Sequence, residues 1–283
     1  MMYSDYVGIF DSGVGGVSVL REIVKVLPRE NILYFGDAKN APYGDRPQEE
    51  IAQISLANAD YLFNKGVKAL VIACNTATSS AADIIREKYP DKIVIGIEPA
   101  IKPAVEEHPG ENILVMATTG TLKLGKFQQR MNELRDQANL IAIPCPGLMD
   151  LIEQEDLQNP EIMDLLEKYI GKYRGQTRAV VMGCTHYPFV EPQIRSILGD
   201  IDVYNGASGE ARELAHQLEE RGLLSASENP DIIFESSDGR TETTDFYRRV
   251  LNIWLLLAKN RRKFGVLRLR VFWVCSACLW RSI

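Results

Sequence analysis

The chain has 283 residues, enough for one large or two smaller domains with a full core. Hydrophobic residues make up 46% and charged residues 25%, ordinary for a soluble globular protein, and a net charge of −6 argues against nucleic-acid binding over most of the surface. Five cysteines do not read as a disulfide framework, no run approaches the roughly 18 apolar residues of a membrane span, and no signal peptide is visible, so free thiols in a reducing cytoplasm are expected.

In chain order, short apolar runs predict nine strands: "YVGIF" (6–10), "NILYFGD" (31–37), "VKALVIAC" (67–74), "KIVIGI" (92–97), "NILVMAT" (112–118), "LIAIP" (140–144), "RAVVMGC" (178–184), "IDVY" (201–204) and "DIIFES" (231–236). Their near-continuous Val/Ile/Leu content, without polar alternation, suits strands covered on both faces. Helical patterns lie between them. Pro47 and Pro99 sit where a helix can begin, and "EARELAHQLEERG" carries an apolar stripe of Ala211, Leu214, Ala215 and Leu218 that stops at Gly222. Repeated β-α units imply an α/β protein with doubly wound parallel sheets, and nine strands are better divided between two lobes than held in one.

Two runs echo each other. "KALVIACNTAT" (68–78) and "RAVVMGCTHYP" (178–188) both place a cysteine at the carboxyl end of a strand, where open α/β sheets bind ligands. Cys74 and Cys184 can be read as buried structural thiols. Against that reading, each is followed at once by hydrogen-bonding residues, Asn75-Thr76 and Thr185-His186. A helix start and a nearby imidazole are expected to lower the pKa of such a thiol.

Other strand ends are also polar. "FDSGVGG" (10–16) has a glycine-rich turn but matches neither the P-loop nor the dinucleotide fingerprint; its Asp11 and Ser12 either face a pocket or cap a helix. "GDAKNAPYG" (36–44) is a loop of turn formers, and "ATTGT" (117–121) offers three hydroxyls that suit a carboxylate. Three histidines without metal-ligand spacing and a lone Cys275-x-x-Cys278 make a zinc site improbable, so side chains alone are expected to do the chemistry, with no cofactor and no metal.

Taken together, "GIFDSGVGG", "GDAKNAPYG", "ACNTAT", "ATTGT" and "GCTHYP", in that order over residues 6–220, resemble the cofactor-independent glutamate racemases of the aspartate/glutamate racemase superfamily. The resemblance implies two pseudosymmetric α/β domains closing over L- or D-glutamate, with residues 1–97 plus 208–250 in the first and 98–207 in the second. It implies Cys74 and Cys184 as the acid/base pair, with Asp11, His186 and Glu153 tuning them. Asp11, Ser12, Tyr43, Gly44, Asn75, Thr76, Thr185 and His186 would contact substrate, and Thr118, Thr119 and Thr121 would help to hold a carboxylate. The implied setting is a cytoplasmic homodimer that supplies D-glutamate for peptidoglycan, hence for cell-wall biogenesis and cell shape.

Two features depart from the family pattern. "VYNGAS" (203–208) matches it loosely, and the resemblance fades after Tyr247. From Arg248 onward the chain has nine Lys/Arg and no Asp/Glu, leaving 23 basic against 38 acidic side chains before it, a net of −15. Residues 251–283 thus form an atypical basic tail, which reads as a membrane-surface or partner segment or as a divergent or frame-shifted end. Competing readings are an aspartate racemase, a thiol hydrolase using Cys184 with His186, and an amino-acid-binding or partner-binding module. The roles of Cys145, Cys275 and Cys278 stay open.

Overall fold

The computed structural model describes the backbone of residues 2–263 and the side chains of residues 2–255. Cys275, Cys278 and most of the basic tail lie outside the described residues. The chain begins with β1 (Tyr6–Asp11), α1 (Val17–Val26), β2 (Asn31–Gly36), α2 (Gln48–Asn64), β3 (Ala69–Ile72), α3 (Asn75–Lys88) and β4 (Ile93–Gly96). It continues with α4 (Ile101–Glu107), β5 (Asn112–Ala117), α5 (Thr119–Lys123), α6 (Gly125–Leu134), β6 (Asn139–Pro144), α7 (Leu148–Glu153), α8 (Pro160–Ile170), β7 (Ala179–Met182), α9 (Glu191–Leu198) and β8 (Asp202–Asn205). Then it returns with α10 (Ala207–Glu220), β9 (Ile232–Ser236) and α11 (Thr241–Lys263).

Two wholly parallel sheets result, in the orders β4-β3-β1-β2-β9 and β6-β5-β7-β8. Reading the second backwards, β8-β7-β5-β6 repeats β4-β3-β1-β2, so β3 and β7, the two echoing runs, hold equivalent places. All nine predicted strands are present, with ends moved by up to two residues. The run 67–74, for example, is strand only over Ala69–Ile72, since Cys74 already occupies the N-cap position of α3.

Period-two alternation sorts each strand between two cores. Phe10, Leu70 and Ile72 join the cluster under α2 and α3, while Ile113, Val115, Ala179 and Val181 join the one under α4 and α6. The opposite faces of both sheets feed a single cluster: Val7, Ile9 and Val71 from one, Leu114, Met116, Val180 and Met182 from the other. The two halves therefore share a core, and their junction is packed side chains.

Helix α11 closes this core. Tyr247 is fully buried against Tyr34, with ring centroids 5.4 Å apart, and its hydroxyl lies where a Cβ at Gly36 would stand. The helix runs on past residue 250 with Leu251 and Ile253 buried. Trp254 packs edge-on against Phe189, and the Arg21 guanidinium sits 3.7 Å above its ring, so α11 touches both halves.

Glu210, in the first turn of α10, is 4% exposed, and neither carboxyl oxygen has a hydrogen-bond partner among the described residues. Burial, and then the charge of Asp11, push its pKa well above the ordinary 4.5. A raised folded-state pKa contributes stability that is full below the unfolded value and is lost as pH climbs toward the folded one. Glu210→Gln, uncharged at every pH, should match the parent Tm near about pH 4 and exceed it by a widening margin toward neutrality. Thermal melts across that range check this, and parallel pH profiles would refute it.

Candidate active site

The pocket is built from strand ends. β1 delivers Asp11 and Ser12, and β3 ends at Cys74, whose position at the start of α3 brings the Ala77 N–H toward its sulfur. From the other sheet, β7 leads through Gly183 to Cys184, Thr185 and His186, just before the 3-10 turn Tyr187–Val190. Ser12, Tyr43, Gly44, Cys74, Asn75 and Thr76 line one wall. Thr118, Met149, Gly183, Cys184, Thr185 and His186 line the other. The walls stand close, with only about 10 Å³ free between them, room for about one water molecule.

Behind the lining runs a chain of buried polar groups. Asp11, fully buried, accepts at Oδ1 from the Gly13 N–H (3.0 Å) and at Oδ2 from the Thr185 hydroxyl (3.0 Å). Ser18 Oγ donates to the Thr185 carbonyl at 2.9 Å. The Cys184 sulfur lies 3.6 Å from His186 Nδ1, and His186 Nε2 is 2.6 Å from Glu153 Oε1, which also accepts from the Val14 N–H at 2.8 Å. Asp11 and Glu153 thus each join one half of the molecule to the other.

The thiols have unlike surroundings. Burial and the charge of Asp11 push Cys74 up to about 12, outweighing the Ala77 N–H and Ser12, whose Oγ is 4.0 Å away. The lowered thiol expected from the helix start is thus reversed at Cys74, because desolvation and a carboxylate act on it more strongly than the helix end. Burial alone would discharge His186, yet its contacts with Cys184 and Glu153 raise its pKa well above 6.5. Burial raises Asp11, against the pull of His186.

Thr119 and Thr121 do not line the pocket. Thr121 is fully buried, its hydroxyl 2.8 Å from Thr76 and 2.9 Å from Thr118, which caps α5. Sequence reasoning missed Met149 and Gly183 in the lining, since neither carries a reactive group. It also left Cys145 without a place. That thiol is buried behind the second wall, pushed up to about 12 by burial and then by Cys184.

Glycines let the walls approach. A Cβ at Gly13 would overlap Glu153, one at Gly15 would overlap His186 and Thr185, and one at Gly120 would overlap the Gly44 carbonyl oxygen.

Fold and pocket define a two-domain α/β protein with one thiol from each sheet in a shared cleft. The family model for Asp/Glu/Hydantoin racemase matches residues 7–213. The glutamate racemase of Clostridium perfringens is 45% identical over 237 residues, spanning 82% of this chain and 91% of that protein. The crystal structure of Francisella tularensis glutamate racemase in complex with D-glutamate superposes with a TM-score of 0.77 at 26% identity, over 88% of this chain and 94% of that one. The Escherichia coli glutamate racemase, in complex with L-glutamate and the activator UDP-MurNAc-ala, gives 0.77 at 25% identity, over 88% and 95%. This chain belongs to the Asp/Glu/hydantoin racemase family.

Two outcomes follow from the site. With Cys74 held near 12, its alkylation by iodoacetamide should rise about tenfold per pH unit from pH 7 to 10 without a plateau, as followed by peptide mass spectrometry. Gly120→Ala sets a methyl against backbone that cannot rotate away, an overpacking cost of roughly 1–3 kcal/mol. It should hold the cleft ajar, lower Tm by a few degrees and speed Cys74 alkylation about tenfold; an unchanged rate would count against the closed contact.

Proposed function

We propose that this protein interconverts L- and D-glutamate by a two-thiol acid/base mechanism that needs no cofactor. The observation that carries this reading is that Cys74 and Cys184, from equivalent strand ends of two sheets, line one small closed pocket. Inverting Cα requires a base on one face and an acid on the other, both present at once. In the L-to-D direction the Cys184 thiolate takes the Cα proton, and the electron pair passes to Cα and the adjoining carboxylate. The Cys74 thiol then delivers its own proton to the opposite face. D-glutamate reacts with the roles exchanged.

The surroundings suit that division. Cys74, held as a thiol, is a proton donor at neutral pH, while a charged His186 balances the negative charge on Cys184 when that sulfur acts as base. Ser12, Asn75, Thr76, Thr118 and Thr185 supply neutral hydrogen-bonding groups to the substrate's carboxylates and ammonium, and Asp11 and Glu153 hold the proton-steering groups in place. Thr119 and Thr121 act on the carboxylate site through the start of α5. Closure strengthens these interactions by excluding water from the carbanion. The 45% identity to a glutamate racemase favours glutamate over aspartate, and with it D-glutamate supply for peptidoglycan as the role. A Cys/His hydrolase would leave Cys74 with nothing to do. We further place the domain limits at 1–97 plus 208–250 and 98–207.

In deuterium oxide, NMR should show solvent deuterium entering Cα of glutamate as optical rotation decays, with no cofactor added. Cys74→Ala and Cys184→Ala should each lower the racemisation rate by roughly 10²–10⁴-fold. A Cys74→Ala protein of full activity would sink the mechanism, and a higher kcat/KM for aspartate would change the substrate.

A further inference from the structure

Asp37 directly follows β2 and is fully buried, and among the described residues no Lys or Arg is seen to pair with it. Its carboxylate is satisfied by neutral donors. Tyr43 Oη donates to Oδ2 at 2.5 Å and Asn58 Nδ2 donates to the same oxygen at 3.0 Å. Asn40 Nδ2 lies 3.0 Å from Oδ1 and 3.1 Å from Oδ2. The Asp37 N–H donates to the carbonyl of Asp11 at 2.9 Å, so the group is fixed to the strand that carries the pocket's own carboxylate.

The network fully occupies the Tyr43 hydroxyl, which gives its proton to Asp37 and accepts from Asn58 Nδ2 at 2.9 Å. That phenol has no hydrogen left for a ligand, although Tyr43 lines the pocket. What Tyr43 contributes is therefore the placement of its ring and of the Gly44 backbone that follows. Gly44 is the point where this loop meets the other half, against Thr118 and Gly120. Asp37 thus controls, at six residues' remove, the edge of the wall beside Cys74.

Resting on the glutamate reading above, we propose that Asp37 is a positioning residue, which through the Tyr43 hydroxyl sets the Tyr43–Gly44 edge of the pocket and so the closed form of the site. Asp37→Asn keeps the volume but turns an amide donor toward the donors of Asn40 and Asn58, loosening Tyr43. Tyr43→Phe removes the same hydrogen bond and leaves the other partners of Asp37 in place.

The test compares both single variants and the double variant by two readouts. In glutamate racemisation, each single variant should lose roughly tenfold to a hundredfold in kcat/KM, mainly through KM, since misplacement of a wall costs binding and closure before chemistry. The double variant should lose no more than the worse single one, because one hydrogen bond is being removed twice. By mass spectrometry, iodoacetamide should label Cys74 several-fold faster in each variant while Cys145 labels at the parent rate. Equal acceleration at both thiols would show general loosening and overturn the proposal, as would parent-like KM with parent-like labelling. Should Asp37→Asn fail to fold, Tyr43→Phe decides by the same criteria. A parent protein without glutamate racemisation would sink the proposed function alone, since the labelling still tests Asp37.

Discussion

The loop after β1 and the turn after β7 meet at backbone distance, and the rest of the site is arranged around that meeting. Glycines at 13 and 15 leave no side chain between Asp11 and Thr185, or between Glu153 and Val14. A methyl at either position would push the halves apart and break hydrogen bonds that hold buried charge. The glycine-rich turn thus serves a purpose other than cradling phosphate: it lets one strand end come against another. Carboxylates do the joining. Such groups are costly to bury unless every oxygen finds a donor, so the closed arrangement is specified in geometry as well as tolerated.

On a repeated backbone, the charges are laid out unequally. Equivalent strands end at Cys74 and Cys184, yet one sulfur faces the field of Asp11 and the other touches an imidazole backed by Glu153. Enantiomers of equal free energy must be handled by a site that is itself chiral, so exact mirror symmetry of the two faces is neither available nor needed. Two groups able to exchange roles suffice. The shared architecture supplies the placement of the sulfurs, and the neighbouring side chains make their surroundings differ.

Much of this was legible in the sequence because the signals are local. Buried parallel strands are apolar runs, and all nine appeared with ends displaced by at most two residues, at Cys74 because the chain turns early into a helix. The echo of residues 68–78 in 178–188 announced the two thiols. What escaped depends on the third dimension. The raised pKa of Cys74 comes from depth and from Asp11, 63 residues away in the chain. Met149 enters the wall through shape alone. Asp37 was hidden in a loop of turn formers, where an aspartate ordinarily faces water, and only Tyr43, Asn40 and Asn58 gathered around it reveal otherwise. The shift in composition near residue 248 suggested a break, yet α11 carries the core through Ile253 because its buried face keeps helical spacing.

The order of elements along the chain has a consequence for biosynthesis. The five-stranded sheet begins with β1 but receives its edge strand β9 last, after the whole four-stranded sheet has been made. Helices α10 and α11, which cover α1, also come from this final segment. As the polypeptide leaves the ribosome, the later-starting half is thus complete first, while the earlier one waits with α1 bare and one sheet edge unpaired. That half is the stretch most in need of protection in a growing chain, and truncation near the C-terminus would injure the residues made first.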